Sequence, residues 1–116
     1  MKPSRKYLRN RQVECLARDL LREKGYEVVR SAGVYAPVDL VAWKRDNSIL
    51  FLRTGRIRTA SLESIVALAS KFRHEIESLR RLPRLPSMTV QLWVYFDRHG
   101  WRFFDVHPGG IVEVEG

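Results

Sequence analysis

A chain of 116 residues, 45% of them hydrophobic and spread along its whole length, is one domain with a modest core, which excludes bulk disorder. No apolar run approaches the ~20 residues that a membrane span needs, and no apolar signal segment follows the basic opening Met1-Lys2-Pro3-Ser4-Arg5-Lys6. A single cysteine, Cys15, permits no internal disulfide and fits a reducing cytoplasm, while 21 Lys and Arg against 13 Asp and Glu leave a net charge of +8.

The positive excess is clustered. Lys2, Arg5, Lys6, Arg9 and Arg11 share the first twelve residues with no acid among them, so residues 1–9 form a basic N-terminal arm. Apolar positions Val13, Leu16, Ala17, Leu20 and Leu21 then recur at helical spacing, which predicts a helix over 10–24 stopped at Gly25. Glu14 lies on the flank of that stripe. Residues 26–31 read as a short strand ending in Arg30-Ser31, followed by a loop around Gly33.

Pro37 lacks an N–H and marks the start of a second strand over 38–43. Alternation there puts Asp39, Val41 and Trp43 on one face and Val38, Leu40 and Ala42 on the other. Lys44-Arg45-Asp46-Asn47 is a polar hairpin turn, and 48–54 is a third, mostly apolar strand. Its positions 49, 51 and 53 share a face and read Ile, Phe, Arg. Arg53, Arg56 and Arg58 give a second cationic cluster. One long helix is predicted over 62–82, closed by Pro83 and Pro86. A buried strand over 89–96, a turn at 97–100 and a last long strand over 101–106 follow, with 107–116 as a tail whose residues 111–114 can add an edge strand.

A helix bearing Glu14, then Gly25, a strand ending Arg30-Ser31, Gly33, Pro37-x-Asp39 and a hydrophobic strand resembles the archaeal Holliday junction resolvases, a group within the PD-(D/E)xK, or restriction-endonuclease-like, superfamily. The closing hairpin with Trp101-Arg102-Phe103-Phe104 carries the resemblance on to about residue 106. It implies an α/β fold, a restriction-endonuclease-like αβββαββ core with a mixed sheet flanked by helices. It further implies branched or double-stranded DNA as partner, a homodimer, and Mg²⁺ held by Glu14 and Asp39. The catalytic set implied is Glu14, Asp39 and a Glu-x-Lys on the third strand, where this chain has Phe51-Leu52-Arg53. Phe51 removes an oxygen ligand. Arg53 keeps the positive charge but is planar and never deprotonated, suited to gripping phosphate rather than assisting an attacking water. Metal affinity is then weak or absent. Glu63, at the start of the long helix, is the candidate for a migrated carboxylate, against an ordinary helix-dipole role.

The expected function is nucleic-acid binding on a nuclease fold with impaired or lost catalysis. Lys2, Arg5, Lys6, Arg9, Arg11, Arg30, Ser31, Arg56 and Arg58 are the expected binding residues. Two alternatives stand beside it: a working metal-dependent, structure-selective DNA endonuclease, and a non-catalytic protein-interaction subunit. His74, His99 and His107 lie far apart without cysteine pairs, which argues against zinc.

Overall fold

The computed structural model describes residues 5–31, 36–58 and 64–116, with the backbone alone for 5–10. The elements in order are α1 (Arg5–Glu23), β1 (Glu27–Arg30), β2 (Leu40–Trp43), β3 (Ile49–Ile57), α2 (Ile65–Lys71), α3 (Arg73–Arg80), β4 (Met88–Phe96), β5 (Gly100–His107) and β6 (Gly110–Val114). The six strands form one sheet in sequence order. Every neighbouring pair is antiparallel except β3 with β4, whose parallel pairing is bridged by α2 and α3. This is the α/β mixed sheet with flanking helices that the sequence predicts.

Two hydrophobic layers cover the two faces. On one, Ala17 and Leu21 of α1 pack on Leu40, Ala42, Leu50, Leu52 and Trp93. On the other, Leu68 of α2 and Ile76 and Leu79 of α3 pack on Val90, Leu92, Val94, Phe96 and Phe104. Even-numbered positions of β3 therefore face α1. Odd-numbered ones, beginning with Phe51, face α2 and α3. Trp101 and Phe103 lie on the α1 side and pack edge-on against Trp93, whereas Phe104 is wholly buried on the other.

Four boundaries depart from the sequence reading, each for a physical reason. α1 begins at Arg5, not at 10, because the residues of the basic arm from Arg5 onward are good helix formers. β3 continues to Ile57, since Gly55 is held there by close packing and does not start a turn. The single long helix is two, broken at Phe72 (φ −104°, ψ 28°). That break keeps Leu68, Ile76 and Leu79 all directed at the same core. Finally, Val38 and Leu40 do not share a face: Val38 joins the α2/α3 layer and Leu40 the α1 layer. The bends at Pro37 and Asp39 reset the phase before the strand starts at Leu40.

Candidate nucleic-acid interface

β3 outruns β2. The register pairs Leu40 with Leu52 and Trp43 with Ile49, so β2 ends level with Leu52 and β3 runs on with its edge open. Asp39 occupies the junction. Its N–H donates to the Leu52 carbonyl at 2.9 Å, and its own carbonyl accepts the Ser31 N–H at 2.8 Å. Its carboxylate then turns onto the free edge, accepting the Thr54 N–H at 2.8 Å and the Thr54 hydroxyl at 3.1 Å. Asp39 thus ends the hairpin as a cap for a strand edge that would otherwise lack a partner.

Near the middle of α1, Glu14 points at the same spot. Its carboxyl is hydrogen-bonded to that of Asp39, and Arg30 Nε on β1 stands 3.2 Å from its Oε2. Its side chain is only 18% exposed. Burial pushes the Glu14 pKa above the usual carboxylate range, and the negative charge of Asp39 adds to the rise. Arg30 and Arg11 pull it back but do not reverse it.

A sign follows for stability. An acid whose folded pKa is raised contributes stability that is fully present below its unfolded value, 4.5 here, and is lost as pH rises through the folded value. Glu14→Gln fixes the neutral form. Its melting temperature is expected to gain on wild type as pH rises above 4.5, and to stop gaining once Glu14 is ionised in the folded protein. Thermal melts of both proteins across that range check it. A wild type that instead gains on the variant would mean that Arg30 and Arg11 outweigh burial.

The cleft at this junction has a volume of about 270 Å³ and is lined by Glu14, Asp39, Arg53, Thr54, Gly55, Arg56, Lys71, Phe72 and Glu75. Arg53 reaches back to the Pro37 carbonyl at 3.4 Å. Arg56 is clamped by both oxygens of Asp97, at 2.9 and 3.2 Å. Gly55 is where a side chain would have no room, because the Phe72 ring lies against it.

Of the residues singled out from sequence, Glu14, Asp39, Arg53 and Arg56 are brought together here. Arg11 and Arg30 act on Glu14, and Arg58 lies exposed just past β3. Ser31 contributes its backbone to the hairpin. Phe51 does not line the cleft: it packs in the α2/α3 layer, while the β3 positions facing α1 near Asp39 are Leu52 and Thr54. Lys2 and Glu63 lie outside the described residues, as do the side chains of Arg5, Lys6 and Arg9. Thr54, Lys71 and Glu75 were missed. Lys71 and Glu75 are four apart on a polar helix face, a spacing that signals a shared side, but only the crossover topology says which side.

No protein-family model matches this sequence, and no curated protein matches it either. Among solved structures, the fold is similar to that of Hjc of Archaeoglobus fulgidus, a Holliday junction resolvase from an archaeal hyperthermophile. The TM-score is 0.62 at 23% sequence identity, covering 84% of this chain and 73% of that one. The chain has the resolvase-like nuclease fold expected from its sequence.

Proposed function

We propose that this protein binds nucleic acid through the cleft at the β2–β3 junction and that metal-dependent cleavage there is impaired or lost. One observation carries the reading: the two acids of the cleft are already engaged, Asp39 by both donors of Thr54 and Glu14 by Arg30, with further cations lining the cleft. Among the described residues, no three acidic, histidine or cysteine side chains stand close enough to hold a metal together.

Mg²⁺ needs only one or two carboxylates, so Glu14 and Asp39 are the residues that would hold it, the ion keeping its remaining positions for water and phosphate. Bound there it would polarise a phosphodiester. This pair fits such an ion poorly. Burial works against the ionised form of Glu14 that a cation needs, and Asp39 must be shared with two donors from Thr54. Neither reading of the Glu-x-Lys spacing restores a ligand, since β3 offers Phe51 and Arg53 on one face and Leu52 and Thr54 on the other.

What the cleft does offer is charge. Arg53 presents a guanidinium fork suited to a phosphate, with Lys71 also lining the cleft and Arg11 and Arg30 acting on Glu14 at its edge. Lys2, Arg5, Lys6 and Arg9 add to the positive charge of the chain. DNA, branched or double-stranded, is the partner class, and the resolvase resemblance extends the proposal to a homodimer working in a reducing cytoplasm. Fluorescence anisotropy of a labelled four-way DNA junction against salt tests binding. The affinity is expected to fall steeply as salt rises, because phosphate contacts release counterions. A salt-independent affinity, or none at low salt, would sink the reading.

A second reading is an active endonuclease. It is favoured by Glu75 and Lys71, a carboxylate and an ammonium set on the helix wall of the same cleft. It requires cutting with Mg²⁺ or Mn²⁺ that Asp39→Ala abolishes.

A further inference from the structure

At the far end of β2 from Asp39 lies a second feature that the cleft does not use. Trp43 closes the strand with its indole 40% exposed, although its neighbours Leu40 and Ala42 are buried. α2 and α3 cover the sheet around β4 and β5, away from this corner. A depression of about 400 Å³ surrounds the ring, lined by Lys24, Gly25, Glu27, Trp43, Lys44, Arg45 and Asp46.

The charges there favour one kind of occupant. Lys24, Lys44 and Arg45 face two acids, Glu27 and Asp46. Asp46 is spent inside its own turn, where its carboxylate accepts the Ser48 N–H at 3.0 Å and the Ser48 hydroxyl. Lys44 is held in place, its ammonium 4.4 Å from the centroid of the Tyr26 ring. Lys24 is also held, its ammonium 5.7 Å from the centroid of the Phe103 ring, which leaves Lys44 and Arg45 as the cations beside the indole. An accessible indole with cations beside it matches an unpaired base and its phosphates. Aromatic rings stack on any base, and cations track the backbone beside it. A second copy of the chain fits less well, because a two-fold contact at this patch would bring the same cations face to face.

We infer that Trp43 is a stacking platform for an unpaired base of a bound nucleic acid, with Lys44 and Arg45 as its phosphate partners. This rests on the nucleic-acid reading above and extends it. Four residues at about 3.3 Å each put Trp43 roughly 13 Å from Asp39, so a strand leaving a duplex held in the cleft reaches it within a few nucleotides. The site therefore selects substrates with a single-stranded segment.

The test uses a short oligothymidylate labelled with fluorescein and, separately, a blunt duplex of the same length class. Trp43→Ala is expected to weaken oligothymidylate binding roughly tenfold or more, and duplex binding by less than about twofold. Trp43→Phe, which keeps a ring, should retain most of the affinity. Oligothymidylate should also quench the intrinsic tryptophan emission of the wild type, and Trp43→Phe should remove most of that quench. This second reading holds even if the alanine variant fails to fold. Wild-type affinity in Trp43→Ala, with duplex binding intact, would overturn the stacking site and leave the cleft reading standing. Loss of self-association in Trp43→Ala with unchanged oligothymidylate binding would overturn it in favour of a second copy. No binding of either probe by wild type at low salt would overturn both.

Discussion

Replacing Arg11, Arg30 and Arg53 together with glutamine is expected to weaken junction binding on the order of a hundredfold at low salt. The slope of log affinity against log salt should flatten by about three, at roughly 0.9 for each phosphate no longer neutralised. Arg53 lines the cleft, while Arg30 stands 3.2 Å from Glu14 and Arg11 acts on the same carboxyl. Without Arg30 and Arg11 the acid pair loses its compensating charge, so the cleft becomes more repulsive to a phosphate as well as less attractive. Arg53→Lys separates charge from shape. It should leave the slope unchanged and cost affinity only through the lost fork. Titrations at several salt concentrations read both quantities, and an unchanged slope in the triple variant would place the phosphates elsewhere.

The second large effect concerns the wall of the same cleft. A Cβ at Gly55 would stand 2.4 Å from Cε1 and 2.7 Å from Cζ of Phe72, closer than atoms pack. Phe72 cannot swing aside cheaply, because it sits at the break between α2 and α3 and packs on their shared core. Gly55→Val is therefore expected to destabilise by about 1–3 kcal/mol through overpacking. For a domain of this size that is a fall of about 4 °C in melting temperature per kcal/mol. Shortening the ring should restore room. Gly55→Ala combined with Phe72→Leu is predicted to be more stable than the sum of the two single changes, a coupling measurable in a double-mutant cycle. Strict additivity would show that the ring and the glycine do not press on each other.

Gly55 also illustrates what sequence pattern reveals and what it hides. The hairpin and its turn were legible because alternating periodicity and a polar turn locate them. The meeting of Glu14 with Asp39 was implied by the resemblance to the resolvases and not by spacing. The extension of β3 to Ile57 was not. Apolar alternation fades at Thr54, and the Phe72 ring that packs on Gly55 comes from the break between α2 and α3, well along the chain. The same contact explains the broken helix: apolar spacing runs smoothly through Phe72, and only tertiary packing interrupts it. Val38 was misplaced because alternation was counted from Pro37, whereas the strand's phase begins at Leu40. Phe51 was set beside Asp39 by matching the Glu-x-Lys of the resolvases to the third strand, and the half-turn of a strand that puts Thr54 there instead depends on which hydrogen bond Asp39 makes. Lys71 and Glu75, both on the cleft, were beyond reach for a related reason: the crossover from β3 to β4 decides which helix face meets the site.

The central claim is that this cleft grips phosphate without cutting it. Incubating a labelled four-way junction with the protein and Mg²⁺, and in parallel with Mn²⁺, tests it most directly, with Asp39→Ala as the companion. The account predicts junction retained on the protein and recovered at full length in every lane. Junction cut by wild type and left whole by Asp39→Ala would contradict it, and would make Glu14 and Asp39 a working metal centre.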